Sequence, residues 1–180
     1  PQNHPYVETT NQLEELFGGR NLTVIGIVPK HGDIYQPKVL AKIKRIQDQI
    51  ELLPTAVRHN ILTLARPKVK DTEGGPDALV VRPMMEKVPQ TPDEVERLKA
   101  AVASMPVYIN ALVSPDGKAA AIGADFTQDS TVPNFIVMND AMRRIVDSVR
   151  DESVDIYLGG LPLIGEAADR EFMKMPIFFG

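Results

Sequence analysis

The chain has 180 residues, long enough to bury roughly 70% of the surface its unfolded form would expose, so a core can form without staples. Hydrophobic residues make up 43% and charged residues 24%, ordinary globular usage that excludes a disordered, collagenous or coiled-coil chain. Lys plus Arg is 20 against Asp plus Glu at 24, a formal charge of -4 and the wrong sign for a nucleic-acid binder, so no nucleic-acid partner is expected.

In chain order, Pro5 to Phe17 carries Thr9, Thr10 and Asn11 ahead of Leu13, Leu16 and Phe17 and stops at Gly18-Gly19, which predicts a short helix. Leu22 to Val28 is a β-branched run between Asn21 and Pro29, the pattern of a central strand buried on both faces. Pro37 then suits the first residue of a helix in which Val39, Leu40, Ile43, Ile46, Ile50 and Leu53 recur at helical spacing. Pro54 ends it, and Val57 to Ala65, with Ile61, Leu62 and Leu64, predicts a second strand reached by a crossover that is right-handed if the two strands are parallel.

Between Arg66 and Gln90, Pro67, Gly74, Gly75, Pro76, Pro83 and Pro89 break the pattern, leaving only a brief strand over Ala78 to Arg82. Thr91-Pro92-Asp93-Glu94 combines an N-cap, a first-turn proline and a capping-box Glu, and predicts a helix over 92–105 with Val95, Leu98, Val102 and Met105 on one face. Val107 to Val113 and Lys118 to Phe126 flank Ser114-Pro115-Asp116-Gly117, a turn sequence, and predict an antiparallel hairpin. A helix follows from Pro133, with Phe135, Met138, Met142, Ile145, Val146 and Val149 inward. A strand over Val154 to Leu158 and a last helix after Gly159-Gly160-Leu161-Pro162, using Ile164, Ala168, Phe172 and Met175, complete the order.

Two strand-helix-strand units around one sheet describe an α+β fold, a ferredoxin-like sandwich with an inserted excursion and flanking helices. The expected segments are 1–20, an N-terminal helix; 21–66, the first strand-helix-strand unit; 67–106, an insert with one helix; 107–160, a hairpin-helix-strand unit; and 161–180, a C-terminal helix.

The chemistry-bearing residues are sparse. With no Cys there is no disulfide framework, thiolate metal site or Cys nucleophile, and His4, His31 and His59 lie far apart, so no metal or cofactor site is expected. The phosphate-binding and nucleophile-elbow motifs are absent, and the carboxylate pairs Glu14-Glu15, Asp93-Glu94 and Asp151-Glu152 fall at helix ends, where dipole and solvation account for them, so no catalytic residue is assigned. Lys38, Lys42, Lys44 and Arg45 form a basic helix face diluted by Asp48 and Glu51. Met84-Met85 fall outside any amphipathic pattern and are soft enough to face an apolar ligand. No run of 18 apolar residues and no signal peptide is present.

Several segments together resemble the first periplasmic loop of exporters of the resistance-nodulation-division (RND) superfamily, in the MMPL-like lipid-exporting branch. They are Tyr6 to Gly18, Leu22 to Val28, Gly32-Asp33-Ile34-Tyr35, Thr91-Pro92-Asp93-Glu94, Val113 to Ala120 and Leu158-Gly159-Gly160-Leu161-Pro162, in the expected order over nearly the whole chain. The resemblance implies a non-enzymatic porter-type domain on the periplasmic side of the bacterial inner membrane, passing lipids, sterols or hopanoids. It further implies membrane spans before Pro1 and after the apolar end Ile177-Phe178-Phe179, periplasmic partner proteins, and possible oligomers of the intact transporter. Its proton-coupling carboxylates would lie in the spans.

A greasy path needs an apolar cleft with one or two orienting polar groups. Met84, Met85, Phe126, Phe135 and Met138 are the apolar candidates, and Tyr108 and Asn110, on one face of a predicted strand, the polar ones. The residues taken alone also allow a stand-alone ferredoxin-like interaction or regulatory module, or a small hydrolase with two facing carboxylates.

Overall fold

The computed structural model describes residues 21–74, 79–127 and 135–174. Its centre is β1 (Thr23–Pro29), flanked antiparallel by β4 (Ala120–Ala124) and β5 (Val154–Gly160) in the sheet order β4-β1-β5. The register lines up core-facing rows across the three strands: Ile122, Ile25 and the half-buried Leu158, then Ala120, Ile27 and Ile156. Ile25, Ile27 and Ile122 are completely buried, as the β-branched run leads one to expect. The opposite face of β1 is only half-covered at Val24, Gly26 and Val28, so the strand is central but sealed on one face rather than both.

That sealed face is covered by α1 (Pro37–Glu51) and α3 (Phe135–Asp147), which pack on each other, α1 also meeting β4. The apolar stripe of α1 lands as its spacing predicts, with Val39, Leu40, Ile43, Ile46 and Ile50 buried, and α3 contributes Met142, Ile145 and Val146. Lys42 reaches across to the carbonyl of Val149 at 2.7 Å and to Asp151 at 2.6 Å.

The strand expected over Val57 to Ala65 does not form. Arg58–Asn60 is a 3-10 turn, closed locally by Asn60 N–H donating to the Val57 carbonyl and Ile61 N–H to that of Arg58. What survives is two antiparallel bridges to the β4 edge, Ala56 to Phe126 and Leu62 to Gly123. This segment therefore runs parallel to β1 with β4 between them, the place a second ferredoxin-like strand would take.

The first arm of the expected hairpin is likewise replaced. Pro106–Tyr108 is a 3-10 turn, and the Tyr108 carbonyl accepts from both Leu112 and Val113 N–H, which curls 108–113 into a loop. The turn itself forms as expected: Gly117 N–H donates to the Ser114 carbonyl, and Gly117 adopts φ +68°. The excursion supplies a second antiparallel sheet, β2 (Lys70–Gly74) with β3 (Leu79–Pro83), and α2 (Pro92–Ala103) packs near β2.

Without a loop between them, β5 passes straight into α4 (Leu161–Lys174). Gly160 makes the junction at φ +124°, and a Cβ there would sit 2.2 Å from the Leu22 carbonyl oxygen, so no other residue fits. Ile164, expected inward, is 52% exposed; α4 instead buries Pro162 and Glu166 against its neighbours. The helix expected over Pro5 to Phe17, Pro133 and Met175 lie outside the described residues. Among the described residues no helix is long and apolar enough to cross a membrane. With four helices and two small antiparallel sheets among the described residues, the fold is α+β, consistent with a ferredoxin-like porter-type domain.

Candidate functional site

Where β3 ends, Met84 N–H donates to the Val69 carbonyl at 2.7 Å and turns the chain under the β2–β3 hairpin. Met84 and Met85 are thereby buried to 7% and 3% exposure, although no periodic pattern marks them. They floor a groove of about 320 Å³ whose opposite wall is α2, through Leu98 and Ala101, with Val88 and Pro89 closing one end. The volume lies at the lower end of the range for small-molecule sites.

The rim is charged, and much of that charge is already satisfied. Asp71 is nearly buried and pairs with Arg82 at 3.1 Å. Glu94 closes the capping box of α2: its Oε2 accepts from Gln90 N–H at 2.8 Å and Thr91 N–H at 3.1 Å, while Thr91 Oγ1 accepts from Glu94 N–H at 3.3 Å. Those amide donors hold the Glu94 carboxyl below the usual range. Glu86, Lys87 and Arg97 complete the rim. The groove thus joins buried methionine side chains to a charged lip. A second cleft, of about 380 Å³, lies between the starts of α1 and α2, where Lys99 stands 5.7 Å over the Tyr35 ring and pairs with Asp33 at 3.4 Å.

The seven candidate residues do not converge. Met84 and Met85 line the groove, and Tyr108 stands behind it, its hydroxyl accepting from Lys70 N–H at 3.0 Å and fixing the start of β2. Tyr108 and Asn110 share no strand face, because Tyr108 ends the 3-10 turn and Asn110 is exposed in the loop at φ +67°. Phe126 is a core side chain at 2% exposure, bridged to Ala56. Half-buried Phe135 lies on α3 with its ring so close to Gly165 that a Cβ there would sit 2.7 Å from it, and Met138, on the same helix, packs half-buried on the core.

A buried polar cluster at the contact of α3 and α4 has no motif in the sequence to mark it. Glu166 of α4 is 2% exposed at the α3–α4 contact, where Asn139 Nδ2 donates to its Oε2 at 2.7 Å and Arg143 at 2.8 Å. Its Oε1 accepts from Arg170 at 2.7 and 2.9 Å and from Arg143 at 3.3 Å. Arg143 above all, then Asn139 and Arg170, bring the Glu166 carboxyl down to about 2 against the cost of its burial, and the same contact raises Arg143. Asn139 also holds the Pro162 carbonyl at 2.9 Å, leaving its own buried Oδ1 without a donor. The only trace in the sequence is the i,i+4 spacing of Asn139 with Arg143 and of Glu166 with Arg170, which ordinary exposed helix faces share. This cluster fastens two helices. Among the described residues, no group of three or more His, Asp and Glu is placed to hold a metal ion.

Residues 33–174 match the MMPL family, well over half of the chain, and the chain belongs to that family. MMPL proteins are membrane transporters of the RND type rather than enzymes, with hydrophobic substrates, and this chain is a domain of such a transporter. No curated protein matches it in sequence.

Proposed function

We propose that this domain stands on the periplasmic side of the bacterial inner membrane and receives lipid substrates, sterols and hopanoids among them, on their way out of the bilayer, without transforming them. The observation that carries this reading is the groove between β3 and α2, whose floor is Met84, Met85 and Leu98 and whose lip bears Arg97, Lys87 and Glu86. Thioether side chains adapt to apolar ligands of varied shape, and a charged lip orients a hydroxyl or head group. The groove takes one end of a lipid rather than enclosing it, which suits passage more than storage. Periplasmic partner proteins and a second domain of the same transporter would complete the path.

Methyl NMR of the methionines tests this directly. Titration with a fatty acid, a sterol and a hopanoid, each below its aggregation concentration, should move the Met84 and Met85 methyl signals saturably. Met142, sealed at 1% exposure between α3 and the sheet, should stay fixed. Unmoved Met84 and Met85 signals across the whole panel would sink the groove as a lipid site.

A further inference from the structure

We infer that the end of the domain where the chain enters at Asn21 rests on an anionic lipid surface through Arg58 and Lys68, with Leu52 as the apolar contact. The proposal rests on the reading above, in that the domain must stand next to a bilayer.

Position is the first argument. Asn21 is tied to the 125–126 segment, its N–H to Asp125 Oδ1 at 3.3 Å and its Nδ2 to the Phe126 carbonyl at 3.0 Å. Asn60, the last residue of the 3-10 turn, donates to Asp125 Oδ2 at 3.0 Å. The turn carrying Arg58 and His59 is thus fastened to the same carboxylate as the point where the first twenty residues join the fold.

Charge is the second argument. Arg58 Nε is held by the Glu51 carbonyl at 3.0 Å, Arg66 Nη2 by the Arg58 carbonyl at 2.8 Å, and Lys68 Nζ by the His59 carbonyl. Backbone carbonyls steer Arg58 and Lys68 without neutralising them, whereas Arg66 also pairs with the Glu51 carboxylate. The carboxylates among these contacts are Glu51, paired with Arg66, and Asp125, which is 5% exposed and already accepts from Asn21, Asn60 and its neighbour Phe126. Partial burial, and after it the charge of Arg66, lower the Lys68 ammonium below its ordinary value. An outward concentration of cations on a chain of net charge -4 attracts an anionic sheet of head groups.

Apolar reach is the third. Leu52, immediately after α1, is 79% exposed, and Pro54 and Pro67 stand out beside the cations. An exposed Leu next in the chain to the carbonyl that holds Arg58 is the pairing of apolar and basic groups an interfacial contact uses.

The test uses the 180-residue chain in vesicle co-sedimentation, with phosphatidylglycerol and phosphatidylcholine at 3:7 against phosphatidylcholine alone. Binding should require phosphatidylglycerol and weaken with salt. Since each basic group near an anionic bilayer contributes about fivefold, the Arg58→Ala, Lys68→Ala pair should weaken it about 30-fold. Leu52→Ala should weaken it further, and Lys38→Ala with Lys44→Ala, on the basic face of α1, should leave it unchanged; circular dichroism checks that each variant folds. Equal binding to both vesicle types, no binding, or an equal loss in the α1 pair would overturn the proposal. Soluble polyglutamate binding as tightly as the vesicles would assign the surface to an acidic protein instead. The Met84 and Met85 titration reads the groove separately, so either result can fail without the other.

Discussion

Two helix contacts hold this domain together by opposite means. Where α1 meets the sheet, five branched or aliphatic side chains interlock with Ile25, Ile27 and Ile122, and the contact is held by shape and exclusion of water. Where α3 meets α4, a single carboxylate is surrounded by two guanidinium groups and an amide. The first contact is indifferent to pH and tolerant of direction; the second is directional, and its strength depends on one proton. A fold that carries both can keep its core fixed while the orientation of one helix is set by charge.

Three substitutions break or sharpen that contrast. Ile46→Ala removes a fully buried side chain from the apolar contact and should cost about 3–4 kcal/mol in urea unfolding, alike at neutral and acid pH. Glu166→Gln should cost less, about 2 kcal/mol, because Arg143 and Arg170 are half-exposed and can return to water. Its cost carries a pH signature. The folded carboxyl lies near 2, below its ordinary 4.5, so its contribution is complete above about 4.5 and fades as pH falls towards about 2. Unfolding curves of wild type and Glu166→Gln should therefore converge over that window, and a gap that persists at pH 2 would mean that packing, not charge, joins the helices. Smallest is Thr91→Ala, which removes the cap of α2 beside the groove: about 1 kcal/mol by thermal melting, with Ile46 and Glu166 contributions unaltered.

The elements legible in the sequence were those whose signal is local. α1 announced itself by its apolar stripe, α2 by Thr91, Pro92 and Glu94, and β1 and β5 by β-branched runs between turn residues. β2 was illegible because Lys70-Asp71-Thr72-Glu73-Gly74 carries no apolar alternation; its pairing with Leu79–Pro83 supplies what its own residues lack. The opposite error occurred over Val57 to Ala65 and Val107 to Val113, where apolar spacing looked like strands. There the Val57 and Tyr108 carbonyls accept from amides three to five residues on, and local closure displaces the ladder.

Of the candidate site, Met84 and Met85 were recognisable by being out of pattern, and they share a groove. Phe126, Phe135 and Met138 offer only apolarity, a property that core and cleft residues have in common. Nothing in the one-dimensional pattern distinguishes Glu166, buried between two arginines, from the solvated Glu152, because burial of a charge is decided by which helix faces arrive together.

The continuous passage from β5 into α4 has a mechanical consequence. With no slack between Gly160 and Leu161, a load applied at Lys174 is not absorbed by a linker but rotates α4 as a lever, with its fulcrum beside the Leu22 carbonyl and its catch at Glu166. Movement at one end of that lever reaches the central strand at Thr23, the register partner of Gly160 and two residues beyond Asn21.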